Sequence, residues 1–344
     1  MPDLTIILLL KNRQEYNYRF ISHFIENSSN LNLFISDGSK KKIMPSIQKL
    51  IKKNKKIRYF KYPEDKSYEK FYKKVHSSLK CIKTKFVLFA ANDDFLVYKN
   101  IFKCLNFLKN NKNYIGSGGT MLGFTMIKKG AKDSKLSNIH TIYKKIDLNK
   151  DSKLQRFNLF INNFSDLPRN SIIQKKVLVK NYSLSSKLFG NDIELKDHFS
   201  ALFNVIHGKI KIFNKPLILH QTHQNSEGSL RHKNFLQNYS DKNFIKNLVL
   251  FDKILSKKLN YKKNYVLKNY FQKIVGNVFK QFSFKNEPSS KEIYNIFLKK
   301  LKRKLLKKDI NKKDINKNLY LQKKNLSEEN KKIIEEIEFF LKKI

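Results

Sequence analysis

The sequence predicts an α/β fold: a mostly parallel sheet flanked by helices, followed by a C-terminal helical extension. Three observations predict it. Short apolar runs alternate with segments of helical period through the first hundred residues, the order of a parallel sheet with helices on both faces. Two of those runs end in acidic residues, at the edge where open α/β sheets bind ligands. Beyond about residue 226 the pattern turns helical and lysine-rich.

Leu4 to Leu10 is a continuous apolar run, the mark of a strand buried on both faces. Glu15 to Glu26 places Tyr16, Phe20, His23 and Phe24 on one helical face. Leu31 to Ser36 is a second strand, ending in Asp37-Gly38-Ser39, and Ile43 to Lys53 a helix. Ile57 to Tyr62 is a third strand, and Tyr68 to Cys81 a helix with apolar or small residues at 68, 71, 72, 75, 78 and 79. Phe86 to Ala91 is a fourth strand, ending in Asn92-Asp93-Asp94, and Ile101 to Leu108 a further helix. Gly116-Ser117-Gly118-Gly119 reads as a flexible turn; it lacks the phosphate-loop pattern. Lys128 to Lys153 reads as a polar insertion or loop, and Phe157 to Phe164 as an apolar, aromatic stretch. Ile172 to Val179 reads as a strand leading into a short helix. Glu194 to Ile206 is an amphipathic helix stopped by Gly208, and Lys209 to Phe213 alternates as a strand, with Pro216 to His220 after it. In the tail, Ser289-Ser290-Lys291-Glu292 is a capping box, and Ser327-Glu328-Glu329 opens a helix with Ile333, Ile334, Ile337, Phe340 and Leu341 on one face. The expected division is residues 1–225 and a basic helical region, 226–344.

Composition bounds the function. The 344 residues carry 72 Lys and Arg against 28 Asp and Glu, a net charge of +44, yet 40% are hydrophobic and 13% aromatic, enough to build a core and exclude a disordered tail. AT-rich coding, which favours Lys, Asn, Ile, Tyr and Phe, explains part of that charge; the remainder still attracts anionic headgroups, nucleic acid or sugar phosphates. Cys81 and Cys104 make no disulfide framework, which suits a reducing, cytoplasmic setting. No run approaches the roughly 20 apolar residues of a membrane span, and the N-terminus lacks a signal peptide's charged region, so a soluble or peripheral protein is expected.

Asn92-Asp93-Asp94 is the sharpest feature. Adjacent carboxylates at a strand end suit a hard divalent cation shared with substrate phosphates, and equally suit a turn or helix N-cap. Asp37-Gly38 is a turn dipeptide or a carboxylate for a nucleobase or ribose. Asp192, Glu194 and Asp197 lie at the start of a helix, where the dipole favours carboxylates. His220 and His223 follow a strand; they are candidate metal ligands or surface histidines.

Taken together, Thr5 to Arg13, Ile35-Ser36-Asp37-Gly38-Ser39 and Phe89 to Leu96 resemble a family 2-type glycosyltransferase of the GT-A (Rossmann-like) fold, in a bacterial subgroup with an Asp-Asp-Phe-Leu metal motif. The resemblance spans about residues 3–223. It implies that Leu10, Asn12, Arg13, Asp37, Asn92 and Asp93 bind a nucleotide-diphosphate sugar. It implies that Asp94, with Asp93 and the histidines His220 and His223, holds Mn²⁺ or Mg²⁺. It implies a base on the helix at Glu194, with Asp192 and Asp197 as competitors. Two positions depart from the family: Asn92 stands where Asp is frequent, and Lys11 where Tyr is frequent. The implied activity is metal-dependent, inverting transfer to a glycan or lipid-linked acceptor in cell-surface polysaccharide or lipopolysaccharide assembly. The site of action would be cytoplasmic, peripheral at the inner face of the plasma membrane. The competing readings are a basic nucleic-acid-binding protein, for which no recognised motif appears, and a catalytically inactive membrane-surface scaffold.

Overall fold

The computed structural model describes residues 3–28, 30–128, 134–188, 193–222, 242–270, 273 and 326–344. The central strand β1 (Leu4–Leu10) pairs in parallel with β2 (Asn32–Asp37) on one side and β4 (Phe86–Ala91) on the other. Beyond β2 lies β3 (Ile57–Lys61), also parallel. Helices α1 (Gln14–Asn27), α2 (Pro45–Lys53) and α3 (Tyr68–Cys81) connect them and α4 (Tyr98–Asn110) comes after β4; Leu4, Ile6, Ile7 and Leu8 are fully buried, as in a strand covered on both faces.

The sheet continues past β4 through β8 (Ile172–Gln174), β6 (Tyr114–Lys128), β9 (Lys209–Gln221) and β5 (Phe95–Leu96), with β7 (Ser134–Tyr143) hairpinned onto β6. Of the described strands, only β8, β5 and β7 run antiparallel to their neighbours. This is the α/β, Rossmann-like GT-A arrangement the sequence predicts.

The middle of the chain corrects two expectations. Gly116 to Gly119 is not a turn but the heart of β6, and part of 128–153 is strand β7 rather than a loop. The glycines are there for clearance. A Cβ on Gly119 would lie 2.1 Å from the Lys215 carbonyl oxygen, and one on Gly118 2.1 Å from Ser171 Oγ. The aromatic stretch after Lys153 is helix α5 (Lys153–Asn162), and the short helix after β8 is a long one, α6 (Lys175–Leu188). Helix α7 (Ile193–His207) leads into β9.

In the C-terminal region α8 (Lys242–Leu259) and α9 (Tyr265–Asn269) share the main core with the sheet, through Leu248, Phe251, Leu255, Leu259 and Val266. The last helix, α10 (Glu328–Lys343), is capped by Ser327 as expected, and its apolar face is buried. It covers a second hydrophobic cluster with Phe95, Val97, Leu122, Phe124, Leu136 and Leu219. The capping box at Ser289 lies outside the described residues. No helix among them is long and apolar enough to cross a membrane.

Candidate active site

The register places Leu10 opposite Asp37 and Leu9 opposite Ala91, so the loops after β1, β2 and β4 emerge together at the carboxyl edge of the sheet. The first loop turns sharply. Asn12 and Arg13 both take left-handed backbone, φ 60° and 57°, a conformation costing about 1–3 kcal/mol for each non-glycine residue. Hydrogen bonds from both sides hold it. Asn12 N–H donates to Ser39 Oγ at 2.6 Å, Asn17 Nδ2 to the Asn12 carbonyl at 3.0 Å, and Arg13 to Asp93 Oδ2 at 2.8 Å. Asn92 is tied in through Asn17 Oδ1 at 2.7 Å. Leu10 points into the core, and only its carbonyl serves the edge, accepting from Gly38 N–H at 3.0 Å and from Lys74 Nζ at 3.1 Å.

Asp37 closes β2 with 1% exposure. Its carboxylate accepts from Tyr59 Oη at 2.6 Å and Ser39 N–H at 2.8 Å, with Lys61 Nζ at 3.5 Å. Burial, then the bond to Asp37, push the Tyr59 phenol up, so it stays protonated as a donor. Beneath this turn Asp65 and Lys74 form a buried ion pair at 2.5 Å. A Cβ on Gly38 would lie 2.2 Å from the Asp65 carboxylate, so the turn needs glycine. Asp65 Oδ1 is buried with no hydrogen bond from the described residues. Beside Asn12 and Arg13 opens a cavity of about 440 Å³, bordered also by Gln14, Lys40, Lys41 and Glu64.

Asp94 sits across the edge, 7% exposed. Its Oδ1 accepts from His220 Nδ1 at 2.8 Å and from Gln221 N–H at 3.3 Å; Oδ2 takes no hydrogen bond from the described residues. Burial raises the Asp94 carboxyl above its ordinary range, against the pull of His220. His220 is raised despite burial, which works the other way; the Asp94 hydrogen bond and the charges of Asp94, Asp93 and Asp166 outweigh it. Both shifts favour the protonated forms of the pair. A buried cation underlies it. The Arg19 guanidinium donates to the Asp93 carbonyl at 2.6 Å and Gln221 Oε1 at 2.8 Å, and lies 4.6 Å from the centre of the Phe95 ring. Burial lowers it to about 10, still fully charged near neutrality.

From His220 the charges continue to α7. Asp166 acts on His220 through space and pairs with Arg169 at 3.1 Å; Arg169 pairs with Asp197 at 3.1 Å; Asp197 accepts from Tyr72 Oη at 2.5 Å. Asp197 is therefore a buried carboxylate in an ion-paired network. Glu194 lies in the first turn of α7. Asp192 and His223 lie outside the described residues, and so does the side chain of Glu194. The structure thus brings Leu10, Asn12, Arg13, Asp37, Asn92, Asp93, Asp94 and His220 to one edge. Sequence reasoning missed Arg19, Tyr59, Asp65, Lys74, Asp166 and Arg169. For Arg19 there was a signal: it falls on the apolar face of α1, between Tyr16 and His23. The others are brought in by tertiary contact.

No family model matches the chain, and neither does any curated protein. Solved structures of S. aureus TarS are similar to it in chain course. The longer TarS chain shares 14% identity over 81% of this chain and 49% of its own length, with a TM-score of 0.46, so this chain spans about half of it. TarS 1–349 shares 11% identity over 81% and 82% of the two chains, with a TM-score of 0.48. TarS 1–349 in complex with UDP-GlcNAc shares 12% over 81% of each, with a TM-score of 0.47. At such identity and overlap the likeness assigns no residue a role.

Proposed function

We propose that this protein is a glycosyltransferase that moves a sugar from a nucleotide-diphosphate donor to a glycan or lipid-linked acceptor, with inversion. The observation that carries the reading is the meeting of Asp37, Asp93, Asp94 and His220 at the carboxyl edge of parallel strands, beside a cavity bordered by Arg13, Lys40 and Lys41. Asp37 would accept hydrogen bonds from the base, and Arg13 and the neighbouring lysines would balance phosphate charge.

Among the described residues no group of three or more His, Cys, Asp or Glu side chains is placed to hold a metal ion, so a divalent cation here would rest on two protein ligands and the donor itself. Asp94 offers an oxygen with no hydrogen bond from the described residues and His220 an imidazole already turned toward it, a combination open to completion by diphosphate oxygens. Asp94 and His220, with Asp93 adjacent, would hold Mn²⁺ or Mg²⁺, which when bound stabilises a diphosphate leaving group as a Lewis acid. A carboxylate of the 192–197 segment, with Glu194 in the lead, would take the acceptor hydroxyl proton. The acceptor oxygen forms its bond to the anomeric carbon as the bond to the diphosphate oxygen breaks. On this reading the enzyme would act in cell-surface polysaccharide or lipopolysaccharide assembly, peripherally at the cytoplasmic face of the membrane.

The test is a panel of nucleotide-sugars with Mn²⁺ or EDTA, scored by thermal stabilisation, since a ligand of the native state raises stability by mass action. One donor should stabilise the wild type only with metal. Asp94→Asn should keep the fold and lose that metal-dependent binding. Unchanged donor affinity in Asp94→Asn with Mn²⁺ present would sink the reading.

A further inference from the structure

We propose that the C-terminal helix α10 is part of the metal site's scaffold: Phe340 positions the Asp93–Asp94 turn from behind. The functional half of this inference rests on reading that turn as the donor and metal site. The observations are a continuous set of contacts from the helix to the carboxylates. The Phe340 ring packs against His23 at 4.8 Å and Phe95 at 6.4 Å between centres, both edge-on. Phe95 directly follows Asp94 and carries the Arg19 guanidinium at 4.6 Å from its ring centre. Arg19 fixes the Asp93 carbonyl at 2.6 Å and Gln221 at 2.8 Å, and the Gln221 backbone donates to Asp94 at 3.3 Å.

Without Phe340, Phe95 and His23 lose the face that confines them. The second hydrophobic cluster takes five of its twelve buried residues, Ile333, Ile334, Ile337, Phe340 and Leu341, from α10. Exposed polar and ionic contacts accompany this packing at the rim. Glu336 meets Lys99 at 3.4 Å, Glu329 meets Lys215 at 2.9 Å, and Glu338 accepts from the Leu136 N–H at 2.9 Å, while Lys343 meets Glu26 at 2.9 Å. The helix itself carries five glutamates and four lysines, close to neutral in a chain of +44. Groups behind metal ligands typically change metal affinity about 10–100-fold when altered, and Phe340 acts one layer further out.

The experiment compares full-length wild type with Phe340→Ala, Phe340→Leu and the control Phe339→Ala, whose ring is 62% exposed. Backbone hydrogen exchange at Asp94, Leu96 and Val97 is read without any ligand, and Mn²⁺ affinity by electron paramagnetic resonance of the free ion. Phe340→Ala should exchange about tenfold or more faster at these amides than wild type, while β1 and β2 keep their protection, and should bind Mn²⁺ about tenfold or more weakly. Phe340→Leu should restore most of both, and Phe339→Ala should match wild type. Unchanged exchange at the turn in Phe340→Ala overturns the inference, as does a uniform rise across β1, β2 and the turn. Unchanged Mn²⁺ affinity beside faster exchange overturns its functional half. Absence of Mn²⁺ binding in wild type overturns the proposed metal site instead, and the exchange pattern still decides whether α10 supports the turn.

Discussion

Asp197 and Glu194 stand one helical turn apart and face different demands. Asp197 is buried and satisfied by Arg169 and Tyr72. Breaking a buried pair by removing one charge leaves the other uncompensated, at a cost of about 3–5 kcal/mol. Asp197→Asn should therefore lower the unfolding free energy by an amount of that order, seen as a lower urea midpoint. Glu194→Gln should leave the midpoint near wild type and slow transfer by about 10²–10⁴-fold, the range for loss of a general base. Rate and stability measured on both variants, with Asp192→Asn as the third, separate the roles: a slow but stable Asp192→Asn moves the base to that position, and a stable Asp197→Asn removes the ion-pair argument. At the same scale, Gly119 is required by packing. Gly119→Ala drives a methyl into the Lys215 carbonyl oxygen, and overpacking of this kind costs about 1–3 kcal/mol. A thermal midpoint equal to wild type would mean that β9 yields without cost.

Among the elements, α1 carries the densest information. Its first two turns supply Asn17 and Arg19 to the site, and the next turn supplies His23 to the contact with α10. His23 is buried against Phe95, Tyr98 and Phe340. Burial, then the charge of Arg19, hold it down to about 4 from 6.5. The folded protein therefore binds this proton later than the unfolded chain. Stability is fully present above about pH 6.5 and falls as pH drops toward 4. The loss is up to about 3 kcal/mol, since one pKa unit corresponds to about 1.4 kcal/mol. His23→Phe should flatten the midpoint between pH 7 and pH 5 relative to wild type; an identical slope in the two proteins would assign the acid sensitivity to other groups. Because His23 touches Phe340, hydrogen exchange of α10 should rise first on acidification.

For the whole molecule, net charge governs behaviour at long range. The salt links from Lys99 and Lys215 to α10 engage only two of the 72 basic side chains, and the excess of +44 is left to act on the surroundings. A lysine or arginine close to an anionic bilayer contributes about 1 kcal/mol, decaying within a Debye length. The full chain should co-sediment with vesicles containing anionic lipid at low salt, release at high salt, and ignore neutral vesicles. Binding to neutral vesicles, or none to anionic ones, would contradict a peripheral position. Steep salt-dependent binding to any duplex would favour the nucleic-acid reading instead.

The sequence by itself determined the strands β1, β2, β3 and β4, the helices between them, the edge at which Asp37 and Asp93–Asp94 emerge, and the capped helix α10. Each of these is written in local terms: an apolar run long enough for one strand, a period of 3.6, a serine before acidic residues. Only the tertiary structure decided that Gly116–Gly119 is a strand, because its glycines answer to Ser171 and Lys215, far away in the chain. It alone joined His220 to Asp94, placed Arg19 beneath both carboxylates, and seated α10 behind Phe95. Those pairings link residues as far apart in the chain as Phe95 and Phe340. Their energy comes from excluding water around specific partners, and no periodicity along the chain records which partners those are.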